Sequence, residues 1–247
     1  MKVGVFDSGV GGLSVVKSLL EHHLFEEIIY YGDTARVPYG SKDKNTIIRY
    51  GIEAVEFFKN FDIDLIIVAC NSVSAYALDE MQEAASIPVF GVVEAGVLAT
   101  ANKLQEKQNR ILVLGTKATI ASATYQEGLM QLGYKNIISK PTPLFVPLVE
   151  EGIFEGDVLD ATLEHYFHDL GLPDAVILGC THFPLIENKI QQYFQNTPLM
   201  IHSGEAIVEY LQKHLRLQPS VYKTELKFFA SENPSALKDV ANKWLAL

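Results

Sequence analysis

Cys70 and Cys180 are the only two cysteines among 247 residues. A thiol titrates at about 8.5, close enough to neutrality for its protonated and ionised forms both to be reached. Two thiols on opposite sides of one carbon could therefore share a reaction, one taking a proton from one face while the other delivers a proton to the opposite face. That is the chemistry that inverts an α-carbon. The α-proton is far less acidic than a thiol, so such a site also needs preorganised donors for the developing carbanion. Polar residues follow both cysteines: Asn71 and Ser72 after Cys70, Thr181 and His182 after Cys180. His182 could hold or relay a proton for Cys180, and Asp7 could do so for Cys70. A helix N-terminus after each cysteine is expected to lower its thiol pKa.

These residues need a frame that brings them together. Short apolar runs at 3–6, 28–31, 65–69, 88–93, 111–114, 136–139, 175–178, 199–202 and 226–230 read as strands. Most lack polar alternation, which predicts burial on both faces, as in parallel sheets. Helical patterns lie between them at 13–20, 45–61, 73–85, 96–105, 119–132, 157–170, 185–195, 204–214 and 235–245. In 45–61 the apolar residues Ile48, Ile52, Val55 and Phe58 recur at helical steps. The alternation predicts an α/β fold with doubly wound, mostly parallel sheets.

The chain also repeats itself. One strand runs into Asp7-Ser8-Gly9 and a later one into Gly115-Thr116-Lys117. Further on, one strand ends at Cys70-Asn71-Ser72 and another at Cys180-Thr181-His182. The separation is 62 positions from Ser8 to Cys70 and 64 from Thr116 to Cys180. Two pseudosymmetric lobes are expected, joined near 91–96, with the segment from about Gly204 returning to the first. The expected division is 1–92 plus 206–247 for the Cys70 lobe and 93–205 for the Cys180 lobe. Ligands of open α/β sheets bind at the carboxyl ends of strands. Asp7, Ser8, Cys70, Asn71, Thr116, Cys180, Thr181 and His182 all fall there, so the cleft between the lobes is the expected site. Gly9-Val10-Gly11-Gly12 opens a helix and reads either as an anion-cradling turn or as a tight strand-helix turn; its spacing is not the dinucleotide fingerprint. Gly32 through Gly40 is a loop in which Tyr39 could offer backbone or hydroxyl contacts.

Composition bounds the partners. The formal net charge is −10, and the sequence holds no Lys/Arg cluster, so nucleic acid is a poor partner. An acidic ligand, repelled at long range, would need local N–H and hydroxyl donors. Asp7 interrupts the first apolar run before a signal segment can form, and no stretch has the length of a membrane span. A cytoplasmic protein with free thiols is expected.

Several blocks together resemble one family, the glutamate racemases of the aspartate/glutamate racemase superfamily, over essentially the whole chain. They are 6–13 (Phe-Asp-Ser-Gly-Val-Gly-Gly-Leu), Gly32 through Gly40, Ala69-Cys70-Asn71-Ser72, Leu148-Val149-Glu150-Glu151-Gly152, and 179–184 (Gly-Cys-Thr-His-Phe-Pro). The resemblance implies that substrate is buried between two α/β lobes and that no cofactor takes part. It implies that Cys70 deprotonates the D-isomer and Cys180 the L-isomer, with Asp7 and His182 assisting and Glu150 near His182. Ser8, Pro38, Tyr39, Gly40, Asn71, Ser72, Thr116, Thr119 and Thr181 would contact L- or D-glutamate. Supply of D-glutamate for peptidoglycan follows from the same likeness, and a homodimer is an assembly left open. One departure is Ser72, where the family usually has Thr; the hydroxyl is kept. Three alternatives stand beside this reading: an aspartate racemase of the same superfamily, a zinc enzyme using Cys70, Cys180, His182 and Asp7, and a two-lobed binding protein without catalysis.

Overall fold

The computed structural model describes residues 1–217, 219 and 223–245. Among these, nine strands form two sheets in which every pairing is parallel. The first sheet holds β1 (Lys2–Asp7), β2 (Glu27–Gly32), β3 (Leu65–Val68), β4 (Val89–Gly91) and β9 (Glu225–Ala230) in the order β4-β3-β1-β2-β9. The second holds β5 (Arg110–Gly115), β6 (Asn136–Pro141), β7 (Ala175–Gly179) and β8 (Leu199–His202) in the order β6-β5-β7-β8. Read from the other edge, the second order is 8-7-5-6, the counterpart of 4-3-1-2. The internal repeat is therefore a repeat of topology. In both sheets the chain leaves the central strand to one side and then crosses back to the other. That reversal opens a crevice at the strand ends, between β1 and β3 in one half and between β5 and β7 in the other. Within two residues of the ends of these four strands stand Ser8, Cys70, Thr116 and Cys180. The central strands β3 and β7 are buried along their whole length, whereas the edge strand β6 is partly exposed, which is why the former read as unbroken apolar runs.

Twelve helices flank the sheets among the described residues: α1 (Leu13–Glu21), α2 (Lys44–Phe58), α3 (Asn71–Tyr76), α4 (Leu78–Ala84), α5 (Val92–Lys103), α6 (Lys117–Ala121), α7 (Thr124–Gln131), α8 (Phe145–Glu150), α9 (Asp157–Phe167), α10 (Glu187–Tyr193), α11 (Ser203–Leu215) and α12 (Pro234–Leu245). The expected strand at 88–93 stops at Gly91, and Val92 and Val93 instead open α5. Their β-branched side chains suit a strand, but seven of the twelve α5 residues are buried, so packing on several sides overrides local preference. Helix 73–85 divides at Ala77, and helix 119–132 divides at Ala123, which takes a left-handed backbone with φ 60°. The segment from Gly204 forms α11, packed on α1 and α5, and β9 pairs with β2. Of the stretch 206–247, residues 218, 220–222 and 246–247 lie outside those described. One apolar core runs from Val3 and Val5 of the first sheet through Val92 and Ala99 of α5 to Ile111, Val113 and Ile177 of the second.

Candidate active site

Asp7 ends β1 and is fully buried. Its Oδ2 accepts from the Gly9 N–H at 2.9 Å and its Oδ1 from Thr181 Oγ1 of the other half at 3.3 Å. Burial pushes its carboxyl up; the His182 charge and the N–H groups of Gly9 and Gly12 offset this only in part. The glycines between Asp7 and α1 serve close approach rather than an anion cradle. A Cβ at Gly11 would lie 2.4 Å from Thr181 Oγ1 and 2.6 Å from His182 Nδ1, and one at Gly12 would lie 2.5 Å from Asp7 Cβ. The head of α1 thus rests directly on the Cys180 segment, where Ser14 Oγ also donates to the Thr181 carbonyl at 2.8 Å.

Cys70 follows β3 at the cap of α3 and donates to Ser8 Oγ at 3.5 Å. The lowered thiol pKa expected from the helix N-terminus is not what the site produces here. Burial raises it to about 12 and the Asp7 carboxylate adds to the effect, against weaker help from Ser8 and the Val73 N–H. The single N–H that the start of α3 offers, that of Val73, does not outweigh desolvation. Cys180 faces a different environment. Its Sγ lies 3.7 Å from His182 Nδ1, and His182 Nε2 lies 3.1 Å from Glu150 Oε1. Burial pulls the imidazole down, but the bonds to Cys180 and Glu150 and the nearby Asp7 outweigh it and raise His182 to about 10. Glu150 is supplied by α8, a six-residue helix absent from the sequence expectations, with Pro147 inside it.

Neutral donors surround the thiols. Ser72 Oγ lies 2.9 Å from Thr116 Oγ1 and 3.2 Å from Thr119 Oγ1, so the two halves meet in a hydroxyl cluster. Thr116 caps α6 by accepting from the Thr119 N–H at 3.1 Å. A 3-10 turn at Tyr39–Ser41 closes the cavity from the side, its leading N–H groups in the position that helix starts leave free. The Tyr39 hydroxyl is spent on Asp33, whose Oδ2 also accepts from Arg36 Nε at 2.6 Å. Of the two contacts open to Tyr39, only that through its backbone remains.

One cavity is lined by Ser8, Pro38, Tyr39, Gly40, Cys70, Asn71, Ser72, Thr116, Cys180, Thr181 and His182. Asp7, Glu150 and Thr119, also singled out from the sequence, stand behind that lining. Val37 and Val146 line it and were not anticipated; an apolar side chain, whether in the loop from Gly32 to Gly40 or in the apolar run around Val146, carries no chemical signal of its own. Asp33, Tyr125 and Ser203 support the lining from outside; Tyr125 and Ser203 meet their partner Asn71 only through the fold, whereas Asp33 meets Arg36 and Tyr39 within its own loop. Among the described residues, no group of three or more His, Cys, Asp or Glu is placed to hold a metal, so the zinc alternative finds no ligand set there. Nor is any helix among them long and apolar enough to cross a membrane.

Comparison with known proteins meets this geometry. The chain is 64% identical over 245 residues to a glutamate racemase of a Nitratiruptor species, covering 99% of this chain and 96% of that one. The crystal structure of glutamate racemase from Campylobacter jejuni subsp. jejuni superposes with a TM-score of 0.99 at 55% identity, covering 100% and 99% of the two chains. Glutamate racemase from Francisella tularensis subsp. tularensis, solved in complex with D-glutamate, gives 0.86 at 35% identity, covering 100% and 94%. An aspartate racemase from Picrophilus torridus shares the fold, with a TM-score of 0.67 at 18% identity over 89% and 96% of the chains. The resemblance carried by the motifs thus extends over the full length, and the aspartate alternative has only a distant counterpart. The model of the Asp/Glu/Hydantoin racemase family matches residues 11–211, and the chain belongs to that family.

Proposed function

We propose that the chain interconverts L- and D-glutamate by direct proton transfer at Cα between two thiols, without a cofactor. The observation that carries this is the meeting of Cys70 and Cys180 in one cavity, each from its own sheet and each with its own polar partners. In the L-to-D direction Cys180, as thiolate beside protonated His182, takes the α-proton. The electron pair left on Cα is taken up toward the carboxylate, held by neutral donors from the hydroxyl cluster and the 3-10 turn. The Cys70 thiol, kept protonated by burial, then delivers its proton to the opposite face. The D-to-L direction starts from the product state of the sulfurs, with Cys70 as base and Cys180 as acid. Asp7 and the His182–Glu150 pair hold the proton balance on either side.

Glutamate rather than aspartate is supported by the identities to glutamate racemases given above. Supply of D-glutamate for peptidoglycan in the cytoplasm is the role this activity would serve. The division into 1–92 with 206–247 and 93–205 is supported by the pairing of β9 with β2.

The test is turnover in deuterated water. Cys70→Ala and Cys180→Ala are each expected to lower racemisation by roughly 10²–10⁴-fold in both directions, with circular dichroism reporting the enantiomer and mass spectrometry the deuterium at Cα. Near-normal turnover in both directions by either variant overturns the proposal. Faster turnover of aspartate than glutamate by the unaltered protein overturns the substrate.

A further inference from the structure

Tyr125 stands behind both thiols and is fully buried. It sits in the first turn of α7, just past the left-handed Ala123, a backbone conformation that side-chain-bearing residues rarely adopt. That turn directs the ring between the two cysteine segments. The hydroxyl donates to Asn71 Oδ1 at 2.7 Å, and Asn71 immediately follows Cys70. One ring edge lies on Gly179, which immediately precedes Cys180; a Cβ there would be 3.2 Å from Tyr125 Cε2. The opposite edge lies on Gly96 of α5, where a Cβ would be 3.0 Å from Cε1. The ring occupies the space that both glycines leave open.

The hydroxyl settles which end of the Asn71 amide faces which way. Oδ1 accepts from Tyr125 at 2.7 Å and, at the longer 3.5 Å, from Ser203 Oγ, while Nδ2 lies 3.0 Å from the same Ser203 Oγ. The Tyr125 hydroxyl makes the shorter of the two bonds to Oδ1 and, unlike Ser203, does not also contact Nδ2. Nδ2 carries two hydrogens, so one N–H is left, and Asn71 lines the cavity. Burial pushes the Tyr125 hydroxyl up, so it remains a donor at neutral pH.

We propose that Tyr125 is a positioning residue that locks the Asn71 amide with its N–H toward the anionic substrate, holding the oxygen away from it. This rests on the reading of the cavity as a glutamate site. Without the hydroxyl the amide can turn and set its oxygen against the substrate carboxylate, so binding weakens while proton transfer at the thiols continues.

Tyr125→Phe keeps the ring and removes only the donor. Its KM for both enantiomers, and its Kd for D-glutamate by calorimetry, are expected to rise about tenfold with kcat within about threefold of the unaltered protein. In an Asn71→Ala background the same change should add less than about twofold, because the group through which Tyr125 acts is gone. Unchanged KM and Kd, or full additivity with Asn71→Ala, overturns the proposal. Failure of the unaltered protein to bind glutamate removes the underlying reading and this proposal together. Turnover surviving loss of the cysteines removes the thiol mechanism and leaves the binding cycle to decide Tyr125.

Discussion

His182 holds a proton where an imidazole would ordinarily give it up, and Glu150 is the partner that can be changed without touching the lining of the cavity. Burial alone would favour the neutral ring, so the raised value depends on Cys180 and Glu150. A group whose pKa is raised on folding stabilises the fold fully below its unfolded value, about 6.5, and loses that contribution as pH climbs through its folded value, about 10. Cys70, raised to about 12, acts in the same direction at higher pH. Stability should therefore fall on the alkaline side of neutrality. Glu150→Gln removes one source of the His182 shift. The alkaline limb of L-to-D turnover is expected to move down by roughly one pH unit, and the alkaline loss of thermal midpoint, which begins at the same pH, should be smaller and complete at lower pH. Unmoved limbs in both measurements would show that Glu150 does not hold the proton. At this scale the sequence was most informative for the thiols, because cysteine is scarce here and its neighbours are local. It was silent on Tyr125, whose partner Asn71 is 54 positions away, and on Asp33, whose partners Arg36 and Tyr39 are near in sequence but carry no spacing pattern of their own.

Elements were legible wherever their pattern was long. All nine expected strands are present, yet the two extended helices expected at 73–85 and 119–132 each break in the middle. Periodicity reports which residues face the core and is blind to a single backbone reversal such as that at Ala123. α8 escaped notice because six residues with an internal proline give less than two turns of pattern. The 3-10 turn at Tyr39–Ser41 shows how such short elements matter. A Cβ at Gly40 would lie 2.5 Å from Thr116 Cβ and 2.7 Å from its Cγ2, so this turn touches the cap of α6 across the cleft. Gly40→Ala must push the two apart. KM for glutamate is expected to rise about tenfold or more, with the thermal midpoint nearly unchanged, since Gly40 is not among the residues with positive φ. A KM equal to that of the unaltered protein would show that the approach of these elements is irrelevant to binding.

The molecule as a whole sets a charge problem that its site solves locally. A chain of net charge −10 must admit an anion to a cavity flanked by the buried Asp7 and by Glu150. The lining meets this with hydroxyls, amide groups and a protonated imidazole rather than with lysine or arginine. Such donors act only at contact, so they leave the long-range field unopposed. A sphere of this size, with a radius of about 20 Å, and this charge repels a unit anion at its surface by about 1 kcal/mol at 10 mM salt and by about half that at 150 mM. The Debye length shrinks from about 30 Å to about 8 Å over that range. Added sodium chloride should therefore lower KM for glutamate by about two- to threefold between those concentrations, while kcat stays constant because the buried donors are screened little. A basic entrance would give the opposite slope. A KM that rises with salt would mean that a local positive field at the mouth, and not the overall charge, governs entry of the substrate.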